Sequence, residues 1–254
     1  MALAIVVATV LSYAVGWFVD ISLLVPILNT IASFPFMVLA LRKRDVKLAI
    51  ARMLVWAATM AVCATVLSYL RPILTDRLFV GGLEYKNEMF TWVQSGHGAE
   101  SSPSLFMPRQ ARDAAIFSVL AVATGGVAAM PMGAVLTNEM GHYAGALAAR
   151  SYNPVPTLIL AWHPWAIIRV VSFVVIGVVL SMPVLGLFGQ PSGAGRRSPR
   201  AASPGGRGPR SDLDWRGAAR TYLPWAAGGL ALDVILKSLL APAWQRMLLS
   251  LVGR

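Results

Sequence analysis

Two ionisable residues, Glu139 and His142, lie inside the otherwise apolar stretch 137–167. Their spacing of three residues places both side chains on one face of a helix. A Glu-x-x-His spacing also occurs in carboxylate-bridged metal sites of helix bundles, so the pair is a candidate ligand set for a divalent metal. Asn138 and Tyr143 flank the pair and complete a candidate polar pocket. The alternatives are an internal polar pair that joins two helices and a pathway for protons or a substrate.

A second set of candidate ligands lies in the polar segment 71–113. Its members are three carboxylates and one imidazole: Glu84, Glu88, His97 and Glu100. Glu84 and Glu88 are four residues apart and share one helix face. A metal site or a catalytic site would require some of these groups to converge with Glu139 and His142. The alternative is a solvated loop face that binds nothing.

Motifs of several common enzyme classes are absent from the chain. It contains no His-Glu-x-x-His zinc motif, no nucleophile elbow, no phosphate-binding P-loop and no dinucleotide-binding glycine loop. The single cysteine, Cys63, excludes an intrachain disulfide and a cysteine-based zinc site. Any enzymatic activity would therefore depend on a site assembled from distant residues.

The composition identifies the elements that must position these groups. Hydrophobic residues make up 57% of the chain and charged residues 13%, with a mean hydropathy of +0.65. Soluble domains carry about 25% charged residues. An apolar run of roughly 18 residues or more predicts a membrane-spanning helix. Such runs predict a polytopic all-α membrane bundle with spans at 1–19, 21–41, 54–70, 114–130, 132–149, 167–188 and 222–240.

Residues 1–41 form either a tight helical hairpin or one long bent helix, because Pro26 and Pro35 interrupt the second run. In the outer loop, Tyr85, Met89 and Trp92 recur at helical spacing within residues 83–94. This pattern predicts a short amphipathic helix that lies on the membrane surface or caps the bundle.

The distribution of charge orients the spans. The short loop 42–52 is basic, and segment 189–220 carries seven arginines, so the positive-inside rule places both in the cytoplasm. Segment 71–113 has five basic and five acidic residues and is expected outside. An odd number of crossings must then connect residues 113 and 189. A break at Met130-Pro131 supplies them and gives seven crossings, which places Glu139 and His142 within the bilayer. Six crossings with the arginine-rich loop outside remain the alternative.

The chain is expected to divide into three parts. Residues 1–188 form the bundle, with the outer loop 71–113, and residues 221–254 form the last span and an amphipathic tail. Residues 189–220 between them are rich in Arg, Gly, Pro and Ser and are predicted to be disordered. The expected partners are the lipid bilayer, anionic headgroups at the arginine-rich loop and other membrane subunits. The net charge of +11 does not predict nucleic-acid binding, since no aromatic–basic recognition module is present.

Two further features of the apolar runs involve polar residues. Asp233 and Lys237 are four residues apart in the last span and are predicted to form a structural ion pair on one helix face. His163 stands between Trp162 and Trp165, a pattern typical of the membrane interface.

The sequence supports two functional hypotheses. The first is a small permease-like or accessory subunit with a polar pocket around Glu139 and His142. The second is an intramembrane enzyme, with a divalent metal as its candidate cofactor. The expected location is the bacterial inner membrane.

Overall fold

The structure, a computed structural model, describes residues 1–188 and 214–252. Every regular element in these ranges is helical, as the composition predicts. A short 3₁₀ helix at Ala99–Ser101 accompanies ten α-helices: α1 Ala2–Val19, α2 Leu24–Arg42, α3 Val46–Leu70, α4 Pro72–Leu78, α5 Gly82–Ser95, α6 Pro103–Thr124, α7 Ala129–Ala149, α8 Pro154–Ala161, α9 Pro164–Phe188 and α10 Trp215–Val252. Most of the arginine-rich segment predicted to be disordered, residues 189–213, lies outside the described residues.

Five of these helices, α1, α2, α3, α9 and α10, are long and apolar enough to cross a membrane by length and composition. Their outward faces are also apolar. Leu3 of α1 is 74% exposed and Phe18 is 88% exposed. Exposing such large apolar side chains to water is unfavourable, whereas exposing them to lipid is not. The architecture is that of a helical membrane bundle.

The first two helices form a hairpin rather than one bent helix. Asp20 follows α1 with φ 53°, in the left-handed region, and this residue breaks the helical path. α2 starts at Leu24 and returns along α1, so that Gly16 lies against Val25. Pro35 is accommodated inside α2, whereas Pro26 lies in its first turns, where a missing N–H costs little.

Helices α3 and α7 form the tightest contact of the bundle. A Cβ atom on Gly141 would lie 2.6 Å from Cβ of Ala64, and one on Gly145 would lie 2.8 Å from Cβ of Ser68. Because the contacting residue numbers increase together along both helices, α3 and α7 run in the same direction. The absence of side chains on these glycines lets the two backbones approach closely.

The break between α6 and α7 occurs earlier than the sequence predicted. α6 ends at Thr124, and Gly125 and Gly126 form the turn with φ 62° and 92°. Such angles favour glycine. Pro131 was expected to break the chain, but it lies in the first turn of α7, where the helix has no N–H partner to lose. α6 begins at Pro103, which is eleven residues before the predicted span.

Helices α9 and α10 pack in opposite directions. Gly229 lies against Ser172, and Asp233, one turn later, contacts Arg169, which precedes Ser172. The same comparison makes α6 parallel to α9, since Gly125 lies against Val184 and Phe117 lies near Gly177. The seven long helices therefore alternate in direction in the order α1, α2, α3, α6, α7, α9 and α10. One end of the bundle holds the turn Lys43–Asp45, the end of α9 and the start of α10.

α10 differs from its predicted form. Residues 215–220 were expected in the arginine-rich loop, and an amphipathic tail was expected to follow the last span at 222–240. Instead, Trp215–Val252 is one continuous helix of 38 residues. Pro224 and Pro242 lie within it. At 1.5 Å per residue it is roughly 57 Å long, so it extends beyond the core of the bundle and packs against α5 and α8.

The helices at the opposite end close the bundle. α5 matches the amphipathic helix expected at 83–94, and it packs on α7, where Tyr85 and Phe90 contact Tyr143 edge-on. The 3₁₀ helix carries Glu100 inward. This cap positions several of the polar groups described below.

Candidate functional site

Glu139 lines a partly open cavity of ≈ 120 Å³. None of the ion pairs formed by the described residues includes this carboxylate. One of its oxygens lies against Gly81, the residue before α5, which has φ 70° and no room for a side chain. The charged groups around the Glu139 carboxyl are Arg109 and the carboxyls of Asp113, Glu88 and Glu84.

The cavity runs between α3, α6, α7 and α9. Its polar end contains Tyr85, Gln110, Asp113, Glu139 and Arg169. Apart from Thr137 and Ser181, its remaining walls are apolar. They include several methionines and aromatic rings: Met37, Met53, Trp56, Met60, Phe117, Met130, Met140 and Phe173. The cavity is therefore amphipathic, with its carboxylates concentrated at one end.

His142 belongs to a different polar cluster. Its Nδ1 atom lies 3.0 Å from Ser68 Oγ, and its Nε2 atom lies 2.8 Å from Asp76 Oδ1. Lys86 also donates to Asp76. His142, Ser68 and Lys86 are buried. Since both ring nitrogens are already hydrogen-bonded, the imidazole has no free atom for a metal in this arrangement.

The neighbours of the pair also have defined roles. Asn138 Oδ1 accepts a hydrogen bond from the hydroxyl of Tyr13, which connects α7 to α1. Tyr143 is fully buried, and its hydroxyl has no partner among the described residues. Tyr143 packs against Tyr85, Phe90 and His163. Asn138, Glu139, His142 and Tyr143 therefore point to separate surroundings rather than to one pocket.

The outer-loop candidates do not meet His142. Glu88 pairs with Arg109 at 2.8 Å on a partly exposed surface, while Glu84 and His97 are exposed. Glu100 is buried and pairs with Lys237. Burial opposes ionisation of the Glu100 carboxyl, but the positive charges of Lys237 and Arg169 outweigh it and hold the pKa of Glu100 below its usual value.

Asp233 and Lys237 do not pair with each other. Arg169 makes two hydrogen bonds to Asp233, at 2.8 and 3.1 Å, and Gln110 donates to the same carboxylate. Lys237 Nζ lies 2.7 Å from Glu100 Oε1 and 4.3 Å from the ring centre of Phe106. Partners on other helices replace the expected pair because they stabilise both buried charges and join α10 to α6, α9 and the 3₁₀ helix.

His163 is buried rather than interfacial. Trp165 stacks on its ring with centroids 4.6 Å apart, and Trp92 and Trp244 contact it edge-on. Its Nε2 atom has no hydrogen-bond partner among the described residues. Burial lowers the pKa of His163 to about 4, since the charged form would lose its hydration.

Sequence reasoning missed Ser68, Asp76 and Arg169 as members of these clusters. Asp76 and Arg169 carried a usable signal, because a charge next to or within an apolar run requires a partner. Ser68 carried none, since serine is common in membrane helices. In the described ranges, no three His, Cys, Asp or Glu side chains lie close enough to hold a metal ion.

Comparisons with protein-family models, with curated proteins and with solved structures find no match to this chain.

Proposed function

We propose that this chain is a permease-like protein of the bacterial inner membrane that crosses the bilayer seven times and binds a small ligand in the cavity beside Glu139. The seven helices of alternating direction support the number of crossings. The basic turn after α2 and the two ends that flank the arginine-rich segment lie at the same end of the bundle, and the positive-inside rule favours the cytoplasm for that end. α6 and α7 then cross as part of the bundle although their own sequences are less apolar.

The observation that carries the binding role is the unpaired carboxylate of Glu139 in the wall of an amphipathic cavity. A carboxylate in the interior of a membrane bundle is costly and is functional by default. The cavity also spans much of the bundle, from Gln110 near the outer cap to Ser181 near the opposite end. A structural subunit would need neither feature.

Cysteine labelling tests the topology. In a Cys63→Ala background, a cysteine at Ser151 should react with an impermeant maleimide from outside intact cells. A cysteine at Ser203, in the arginine-rich segment, should react only after permeabilisation. Reaction of both positions from the same side would contradict seven crossings.

Cysteines in the cavity test the binding role. Gln110→Cys and Ser181→Cys should both react with a small cationic methanethiosulfonate, because a permease must admit water-soluble molecules to both ends of its cavity. Ile176→Cys is the control, since Ile176 is buried on α9 but does not line the cavity. Protection of Ser181→Cys from every reagent, on both sides, would favour a structural accessory subunit.

A second candidate function is hydrolysis within the membrane. The hydrogen bonds from Ser68 to His142 and from His142 to Asp76 follow the order nucleophile, base and orienting carboxylate. Ser68 is fully buried, however, and does not line the cavity beside Glu139. A fluorophosphonate probe tests this candidate: labelling that disappears in Ser68→Ala would favour the enzyme over the permease.

A further inference from the structure

The dimensions of the cavity limit the size of its ligand. Its lining extends along α9 from Ala166 to Ser181, which is roughly 22 Å at 1.5 Å per residue. Its volume of ≈ 120 Å³ is close to that of engineered cavities that bind benzene, about 150 Å³. A single aromatic ring with a short chain therefore fits better than a lipid or a peptide.

The charges at the polar end determine the sign of the ligand. Three charged residues line the cavity: Asp113, Glu139 and Arg169. Arg169 is neutralised by Asp233, which is fully buried, and Asp113 pairs with Arg112 at 3.1 Å. Of the three, only Glu139 takes part in no ion pair of the described residues, so its carboxyl is the group left for a ligand.

An uncharged acceptor lies in the same wall. Gln110 uses its amide nitrogen to bind Asp233, while its Oε1 atom is buried and has no hydrogen-bond partner in the described part of the chain. A carboxylate and an amide oxygen accept hydrogen bonds and donate none. Both therefore suit a ligand group that carries several N–H donors and a positive charge.

The body of the cavity suits an apolar ring. Trp56, Phe117 and Phe173 supply aromatic faces, and Met37, Met53, Met60 and Met130 supply flexible thioether side chains. Methionine adapts its shape and makes favourable contacts with aromatic rings, and aromatic faces also attract cations.

We propose that the ligand is a small arylalkylammonium ion. This inference rests on the proposed permease function, which leaves the class of ligand open. The ammonium group binds the Glu139 carboxylate and Gln110 Oε1, and the aromatic ring occupies the methionine-lined body of the cavity. Glu139 thereby selects for positive charge, while the apolar walls exclude inorganic cations that keep their hydration shells.

Three probes of similar shape test the sign of the charge on the purified full-length protein in lipid nanodiscs. They are phenethylammonium, its neutral isostere propylbenzene and the anion 3-phenylpropanoate. Calorimetric titration should show saturable binding of phenethylammonium that is at least tenfold tighter than binding of propylbenzene, with none of the anion. Glu139→Gln should weaken binding of the cation at least tenfold, whereas Asp20→Asn, which changes an exposed carboxyl at the turn after α1 and outside the cavity lining, should leave the affinity unchanged.

The outcomes separate the inference from the function on which it rests. Equal binding of propylbenzene and phenethylammonium by the native protein would overturn the cation assignment but retain the cavity as a binding site. Binding of silver(I) without binding of phenethylammonium would overturn it in favour of a thioether metal site. If none of the probes binds and Ser181→Cys is also inaccessible, the permease proposal fails as well. The comparison of the three probes decides the question even if Glu139→Gln does not fold.

Discussion

Lys237 and Glu100 form a buried ion pair across 137 positions of the sequence, with 2.7 Å between Nζ and Oε1. Lys237 lies in the middle of α10, and Glu100 lies in the short 3₁₀ helix of the cap that closes one end of the bundle. The pair connects the last long helix to the segment that closes the bundle. Because the side chains are 3% and 10% exposed, the interaction is weakly screened by solvent.

Removing one member of this pair should destabilise the protein strongly. Lys237→Met leaves the Glu100 carboxylate buried without its partner, and such a change costs about 3–5 kcal/mol. Thermal unfolding in detergent measures the loss, and the double variant Lys237→Met/Glu100→Gln should recover part of it. The control is Arg109→Met, which breaks the half-exposed pair with Glu88 and should cost less than about 1 kcal/mol. Equal losses at the two pairs would contradict a buried location for Glu100.

Adding a methyl group at Gly145 should separate α3 from α7. The new Cβ would collide with the Thr65 carbonyl and lie 2.8 Å from the Ser68 side chain, and overpacking of this kind costs about 1–3 kcal/mol. Gly228→Ala provides a matched control in α10, where nothing lies within 4 Å of the added atom. It should leave stability unchanged or raise it by up to about 1 kcal/mol, because alanine favours helix. Loss of stability in both variants would argue against the close contact of α3 with α7.

Asp76 should be essential for the polar cluster around His142. Asp76→Asn removes the charge that Lys86 requires, and Lys86 is 5% exposed, so a loss of about 3–5 kcal/mol is expected. Adding Lys86→Met should restore part of the stability by removing the uncompensated ammonium. Glu84→Gln, which changes an exposed carboxyl on the same helix as Lys86, should have no effect. A stable Asp76→Asn protein whose stability does not change when Lys86→Met is added would show that the cluster does not hold the cap.

The stability of the cap should depend on pH through His163. Its pKa is about 4 in the folded protein against 6.5 in the unfolded chain, so the unfolded state binds the extra proton. The contribution to stability is full above pH 6.5 and is lost as the pH falls from 6.5 towards 4. His163→Phe keeps the stacking on Trp165 but cannot titrate.

Melting curves between pH 8 and pH 4 test this expectation. The native protein should lose stability over that window, and His163→Phe should lose less. His97→Phe, at an exposed position, should follow the native protein. The same pH slope in the native protein and in His163→Phe would show that another group accounts for the dependence.

Local patterns predicted several elements of the fold accurately. The apolar run at 1–19 corresponds to α1, the run at 21–41 to α2 and the 83–94 pattern to α5. These predictions succeed because membrane spans and amphipathic faces are encoded by residues close together in sequence. The predicted helix boundary at Pro131 was wrong. A proline can end a helix or stand in its first turn, depending on the backbone groups around it. Here a pair of glycines, which ends five residues before Pro131, had already made the turn.

The sequence did not predict which charged side chains form ion pairs. Asp233 and Lys237 have the spacing of an ion pair, but each found a better partner on another element, and Glu139 and His142 share a helix while serving different clusters. By itself the sequence determined that the chain is helical, apolar enough for a membrane and furnished with costly buried charges. Only the tertiary structure decided which charged side chains pair and which of them line a cavity, because those contacts depend on how helices far apart in the chain pack side by side.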